Sequence, residues 1–156
     1  FFKYLAISAY CESASLIGFA NWFAEQSEEE RGHAMKIYRY LLDQDKPVKL
    51  LPLEEPKYDF GSLEDAVAAA LSNEEAVTKA INEIAAFCVQ QNDYATYFFL
   101  QWFVTEQVEE ESTVRTMLDR VRMVKNSGDG LLALDREFGV RVGGGADSGS
   151  RVPDRN

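Results

Sequence analysis

The chain has 156 residues, of which 26 are acidic and 16 basic, so its formal net charge is -10; 46% of the residues are hydrophobic. This length and apolar content suit one compact domain with a sizeable core. The negative charge argues against nucleic acids and anionic membrane surfaces as partners, and it favours cations.

The sequence shows neither a membrane span nor a signal peptide, because no apolar run approaches the roughly 18 residues that a span needs. The chain starts at Phe1 in the middle of a helical pattern. We therefore expect that a preceding segment has been removed. The expected compartment is the cytoplasm, or the plastid stroma if that segment was a transit peptide. Cys11 and Cys88 lie in apolar stretches without CxxC spacing, which predicts two reduced, buried thiols.

Apolar residues that recur every three or four positions predict a succession of helices. The first runs from Phe1 to about Glu12. After a break at 13–15, a second and much longer helix runs from Leu16 to about Asp45. Segment 46–62 contains three prolines, so it is predicted to be a non-helical connection, long enough to cross the length of a bundle.

Two further long helices follow this connection. The third is predicted to begin after Ser62 as N-cap and to end near Gln91. Asn92 and Asp93 are expected to break it and to cap the fourth, which covers about 94–125. Gly128 and Gly130 are expected to end the fourth helix. The stretch LLALDREF is predicted to be a short fifth helix. The pattern thus indicates an all-α fold, a four-helix bundle over 1–139 with a flexible, Gly-rich and charged tail at 140–156.

Polar side chains interrupt the apolar faces of three of these helices near their middles. They are Glu30 with His33 on the second helix, Glu74 on the third, and Gln107 with Glu110 on the fourth. A four-helix bundle brings such positions to one level of its core, where an unpaired carboxylate costs several kcal/mol.

Divalent cations offer the partner that these acids lack, because no lysine or arginine occupies the same faces. Carboxylates with one imidazole suit iron or manganese, and less selectively zinc. Residues three apart share a helix face, so Glu30 and His33 can reach one ion, and Gln107 and Glu110 can do the same from the facing helix.

Each of these polar features, taken alone, has a simpler interpretation than a metal site. An E-x-x-H spacing is common by chance, His33 could be a satisfied core histidine, and acid runs such as 28–30 and 109–111 are often solvated faces. Tyr4 could be a core residue or a redox neighbour of the site. The agreement of three helices favours a metal site over these readings.

Three motifs carry a family resemblance, and it extends from about Tyr4 to Phe138. EEERGHAMKIYRYLLDQ, NEEAVTKAINEIA and FLQWFVTEQVEEE are similar to segments of non-haem bacterial-type ferritins, in the same order. The resemblance implies a ferritin-like bundle with a long crossover between the second and third helices and a short fifth C-terminal helix. Arg31 stands where bacterioferritins carry a haem-ligating methionine, so no haem is expected.

The resemblance also implies roles for the polar residues at a di-iron ferroxidase centre. Glu30 would bridge two irons, His33 would bind the first and Glu74 the second, and Gln107 would line the site. Glu29, Glu106, Glu109 and Glu110 resemble a third, outer iron site. The family's first-helix glutamate would lie before Phe1, and Glu12 is too far along the helix to replace it.

The function implied by the resemblance is iron storage. Fe(II) would be oxidised by dioxygen or peroxide at the di-iron centre, and Fe(III) would be stored as a mineral inside a homo-oligomeric shell of 24 subunits, without nucleic-acid or membrane partners. Two alternatives remain at this stage. One is a di-iron oxidase that acts on another substrate, and the other is a storage subunit without ferroxidase activity.

Overall fold

The computed structural model describes residues 1–142, which form five α-helices and, within that range, no strand. The helices are α1 (Phe2–Ser13), α2 (Ile17–Asp43), α3 (Leu63–Gln90), α4 (Tyr94–Val124) and α5 (Gly128–Val142). Helices α1 and α2 form one antiparallel hairpin, and α3 and α4 form another. Residues 44–62, called the crossover below, connect the two hairpins and contain no helix. The predicted all-α bundle with a long crossover and a fifth helix is confirmed.

The helix boundaries follow local capping chemistry. The Ser62 hydroxyl accepts a hydrogen bond from the Asp65 amide at 3.1 Å, and the Asp93 carboxylate accepts one from the Thr96 amide at 3.1 Å. Each such cap stabilises a helix by about 1 kcal/mol. The predicted caps of α3 and α4 are therefore confirmed.

Three helices end in the same left-handed turn. Ser15, Asp45 and Asn92 have φ angles of 61°, 53° and 56°, and in each case the following amide donates to a carbonyl five residues back. This pattern is the Schellman ending of a helix. It reverses the chain tightly after α1 and α3, so that each hairpin closes within a few residues.

The fifth helix differs from the sequence-based expectation. Gly128 and Gly130 do not end α4, which stops at Val124; they lie in the first turn of α5. The Ser127 hydroxyl accepts a hydrogen bond from the Gly130 amide at 3.0 Å, so the first turn of α5 is capped in spite of its glycines. The helix continues to Val142, and residues 143–156 of the predicted tail lie outside the described part of the chain.

Two clusters of buried apolar residues make up the core. The larger joins all five helices and includes Tyr4, Phe19, Val67, Met117 and Phe138. The smaller lies between the C-terminal half of α3 and the N-terminal half of α4, and it is made of Ile81, Ala85, Cys88, Leu100 and Phe103. Cys11 and Cys88 are buried free thiols, as predicted. None of the helices within residues 1–142 is long and apolar enough to cross a membrane.

Some residues on the predicted apolar faces are not buried. Ile37 on α2 is 40% exposed and Ile84 on α3 is 49% exposed. Both residues lie outside the two apolar clusters of the described part of the chain.

Helix α5 closes the end of the bundle where α2 begins. The Asp135 carboxylate accepts a hydrogen bond from the Phe19 amide at 3.0 Å, so it caps the first turn of α2 from a distant part of the chain. Gly18 allows this approach, because a Cβ placed there would lie 1.7 Å from the Asp135 carbonyl oxygen.

We predict that Gly18→Ala destabilises the protein by roughly 2–3 kcal/mol, since the added methyl group meets backbone that cannot move without displacing α5. Gly32→Ala in the same helix is the matched control. A Cβ at Gly32 meets nothing within 4 Å, so that change should stabilise the helix by roughly 0.5–1 kcal/mol. Thermal unfolding of both variants measures the difference. Equal midpoints for the two would contradict this account of the contact between α2 and α5.

Candidate metal centre

The polar residues singled out in the sequence lie between the two apolar clusters. We call Glu30, His33, Glu74, Gln107 and Glu110 the polar layer. Along α3, Glu74 separates Val67 and Ala70 of the larger cluster from Ile81 of the smaller one. Along α4, Gln107 and Glu110 separate Phe103 from Val114 in the same way. The layer is therefore inside the bundle rather than on a solvated face.

Burial within the layer is deepest on α3 and α4. Glu74 is 0% exposed, Gln107 4% and Glu110 6%. The side chains of Glu30 and His33 on α2 are 17% and 14% exposed, and their Oε1 and Nδ1 atoms lie 3.5 Å apart. Consecutive turns of one helix thus present a carboxylate and an imidazole together, as the i,i+3 spacing predicts.

Glu74 is held by side chains from two other helices. The Tyr4 hydroxyl of α1 donates a 2.5 Å hydrogen bond to Glu74 Oε1. Gln107 Nε2 of α4 lies 3.2 Å from three acceptors, namely Glu74 Oε2, the Glu74 carbonyl and Thr78 Oγ1. Burial, followed by the nearby Glu74 carboxylate, raises the pKa of Tyr4 far above its ordinary value, so Tyr4 remains a proton donor at neutral pH.

The Glu110 carboxyl is affected strongly by its neighbours. Burial raises its pKa, and the carboxylates of Glu29, Glu74 and Glu30 raise it further, to about 8; only His33 acts in the opposite direction. Three negative groups and one imidazole therefore surround this acid. In the absence of a bound cation, burial and the repulsion from these carboxylates both favour the protonated form of Glu110.

The acids of this site also affect the pKa of the His33 imidazole. Its contact with Glu30 raises the pKa of His33 above 6.5, partly offset by burial. The His33 ring packs edge-on against Trp102, with the two ring centroids 5.1 Å apart. Lys36 Nζ lies 3.2 Å from the centre of the Trp102 ring.

A second arrangement of ligands overlaps the layer. Glu29, His33, Glu106 and Glu110, called the outer group below, each offer one atom, and those four atoms lie within 4.8 Å of one another. Glu29 is exposed and Glu110 buried, so this group leads from solvent toward the core. Glu109, which the sequence analysis placed with these acids, is exposed and outside the outer group.

Two polar neighbours of the acids were not anticipated from the sequence. Gln26 Nε2 donates to Glu29 Oε2 at 2.6 Å, and Asn73 Nδ2 donates to Glu74 Oε1 at 3.3 Å. Gln26 lies three residues before Glu29 on the same helix face, so this spacing could have indicated their contact. Asn73 is adjacent to Glu74 in the chain, and adjacent helical residues normally point apart, so periodicity gave no indication of its role.

A four-helix bundle with carboxylates and one imidazole gathered in its core defines the class of ferritin-like carboxylate proteins. Comparison with known proteins agrees with this class. The ferritin family, described as a ferritin-like domain, matches residues 1–124. This chain belongs to the ferritin family.

Individual relatives show how far the similarity extends. The chain is 38% identical over 139 residues to a bacterial non-heme ferritin of Staphylococcus aureus strain USA300, covering 89% of this chain and 84% of the relative. It is 36% identical over 138 residues to the corresponding protein of Staphylococcus haemolyticus, covering 88% and 83%. Among solved structures, an open pore ferritin from the hyperthermophilic archaeon Archaeoglobus fulgidus superposes with a TM-score of 0.88 at 38% identity, covering 90% of this chain and 86% of the other.

We predict that the metal-free protein loses stability as the pH rises from about 4.5 to about 8, and that Glu110→Gln reduces this loss. The folded chain retains a proton on Glu110 up to a pKa of about 8, whereas the unfolded chain releases it near 4.5. Folding therefore binds a proton between these values, so the stabilising contribution is complete below the lower pKa and disappears as the pH passes the upper one.

The expected difference is roughly 1–2 kcal/mol across this range, less than the full shift would give because part of the group is solvated. Thermal unfolding in the presence of a chelator measures it, with the exposed Glu109→Gln as control. The His33 contribution has the same sign and remains in both variants. A Glu110→Gln variant with the pH dependence of the wild type would refute the assignment.

Proposed function

We propose that this protein stores iron, that it oxidises Fe(II) in the polar layer, and that it retains Fe(III) as a mineral inside a shell of 24 subunits. The observation that carries the proposal is the composition of the layer. Four side chains shift the pKa of the buried Glu110 carboxyl through their charges. Three of them are acids, and the fourth is the imidazole of His33. Divalent iron supplies the positive charge that the side chains lack, and carboxylate and imidazole are ligands that it accepts.

Each residue of the layer has a place in the proposed chemistry. Glu30 bridges two Fe(II) ions, His33 binds the first and Glu74 the second, and Gln107 lines the site while it orients Glu74 by hydrogen bonding. Tyr4 donates to the same carboxylate and keeps its hydroxyl proton at neutral pH. The protein thus fixes the positions of two ions next to each other, and the electrons come from the iron.

The redox balance needs only iron and the oxidant. Two Fe(II) ions give up one electron each; dioxygen accepts both electrons with two protons from water and leaves as hydrogen peroxide, or hydrogen peroxide accepts both with two protons and becomes water. Protonated Glu110 releases its proton when the cation binds, because the added positive charge favours the carboxylate. The outer group provides a third iron position that leads from the layer toward solvent.

The charge of the whole chain supports storage as well as oxidation. A net charge of -10 per subunit attracts cations, and a closed shell of such subunits would concentrate them. Members of the same family with solved structures include the open pore ferritin of Archaeoglobus fulgidus. We infer a homo-oligomeric shell for this chain from its membership of the family.

The experiment that tests the proposal is an Fe(II) oxidation progress curve recorded together with oxygen consumption. A ferroxidase that stores its product gives a rapid phase of about two Fe(II) per subunit, followed by continued uptake into soluble, protein-bound Fe(III). A storage subunit without a ferroxidase centre gives only the slow phase. An oxidase with another substrate consumes oxygen without retaining Fe(III), and that result would exclude the proposal.

His33→Ala should slow the rapid phase at least tenfold, because His33 is the only histidine in the chain and hence the only imidazole ligand. Fold and assembly should survive, since the apolar clusters lie on either side of the layer. Glu28→Gln, at an exposed position that pairs with Arg31, is the control and should match the wild type. Unchanged initial rates in His33→Ala would rule out its role as a ligand, and loss of helical circular dichroism would show a purely structural histidine.

The outer group makes a separate prediction. The double variant Glu29→Gln with Glu106→Gln should retain the rapid phase of two Fe(II) per subunit but change the ratio of iron oxidised to oxygen consumed. It should also raise the thermal stability of the metal-free protein slightly, because two repelling charges are removed. Stopped-flow oxidation with matched oxygen measurements provides the comparison.

Glu109→Gln separates the outer group from the exposed acid beside it. Since Glu109 lies outside the group, this single change should leave the stoichiometry as in the wild type. If the double variant also had wild-type stoichiometry, the third iron position would be removed from the proposal. If Glu109→Gln alone altered the ratio, the group would have to include it.

A further inference from the structure

Two neighbouring residues of α1 contact two neighbouring residues of α3. Tyr4 donates to Glu74, and one residue earlier Lys3 Nζ donates to Asn73 Oδ1 at 2.8 Å. Asn73 Nδ2 in turn donates to Glu74 Oε1 at 3.3 Å. A polar chain therefore leads from the exposed Lys3 to the fully buried Glu74.

We propose that Lys3 and Asn73 form a positioning pair that fixes the orientation of the Glu74 carboxylate for metal binding. This inference rests on the proposed function, since Glu74 is there the ligand of the second iron. It concerns residues that do not touch the metal themselves and act through Glu74.

The argument begins with the two ends of the Asn73 amide. A lysine ammonium has only donors, so it selects the carbonyl oxygen of the amide as its partner. With Oδ1 directed at Lys3, the Nδ2 group is the end that faces Glu74. Without Lys3, nothing in this contact would prevent the amide from rotating and presenting its oxygen to the carboxylate, where two acceptors repel.

The second step concerns the carboxylate itself. An ionised glutamate offers about four acceptor positions on its two oxygens. Tyr4 and Asn73 both donate to Oε1, and Gln107 donates to Oε2. Three positions are then occupied by protein donors from three helices, and one remains for a cation. The donors thus determine which lone pair the metal receives.

The surroundings of Asn73 explain why its amide needs hydrogen-bond partners at both ends. Lys3, Tyr4 and Asn73 line a cavity of about 220 Å³ between α1, α3 and the crossover. Asn73 therefore faces this space, and its hydrogen bonds to Lys3 and to the fully buried Glu74 hold the amide in place. Outer hydrogen-bond partners commonly orient metal ligands in this way.

The test is a titration of the metal-free, intact protein with Co(II) alone, followed by visible absorption. Wild-type protein should bind two Co(II) per subunit in the layer. Asn73→Leu, which keeps the size but removes the donor, should weaken one of these two sites about tenfold and change its absorption spectrum, while it leaves the other site unaffected. Asn73→Asp should weaken the same site further, because it presents a carboxylate to Glu74.

Lys3 is tested by a double-mutant cycle. Lys3→Met should weaken the same Co(II) site by several-fold, but should add nothing in an Asn73→Leu background, because Lys3 acts only through the amide. Lys79→Met and Asn82→Leu are matched controls on exposed positions of α3 and should bind Co(II) as the wild type does.

Several results would overturn the positioning pair. Wild-type affinities and spectra in Asn73→Leu would do so, as would equal weakening of both Co(II) sites, or additive effects of the Lys3 and Asn73 changes. If the wild type itself bound no Co(II) in the layer and did not oxidise Fe(II), the proposed function would fail together with the pair. Normal oxidation by the wild type with no change in Asn73→Leu would remove the pair alone.

Discussion

Repulsion among buried carboxylates is the constraint on which the rest of this bundle depends. Burial raises the pKa of Glu110, and the nearby carboxylates of Glu29, Glu74 and Glu30 raise it further, to about 8, while the imidazole of His33 acts in the opposite direction. Apolar side chains in the same positions would pack with less cost, because buried ionic groups seldom add net stability. The arrangement becomes favourable when a cation enters the layer, because the carboxylates then coordinate the cation instead of only repelling one another.

The two apolar clusters that flank the polar layer differ in size. The larger apolar cluster joins all five helices below the layer, and Asp135 of α5 caps α2 at that end. On the other side of the layer, the described residues form the smaller buried cluster between α3 and α4. Stability is thus concentrated at one end, while within the layer Glu74 is held by hydrogen bonds from Tyr4 and Gln107. In our account, this leaves the ligands ordered and the layer open to ions.

Most of the fold was predictable because helical periodicity and caps are local. Ser62 and Asp93 cap the helices that they were expected to cap, and the interruptions of three apolar faces predicted which residues meet in the core. Other features depend on packing between distant segments. The glycines before LLALDREF start a helix because the Ser127 hydroxyl accepts a hydrogen bond from the Gly130 amide. Asn73 contacts Glu74 only through a side-chain conformation that Lys3 stabilises, and sequence spacing cannot show this.

The central claim is that the polar layer is a cation site and that the bound cation relieves its repulsion. An anaerobic calorimetric titration of the metal-free protein with Fe(II), combined with thermal unfolding of the same samples, tests it most directly. We expect saturable binding of at least two Fe(II) per subunit, with release of protons near neutral pH and a clear rise in the unfolding midpoint. Weak, unsaturated binding with an unchanged midpoint would show that the acids are satisfied without a metal, and it would contradict the account.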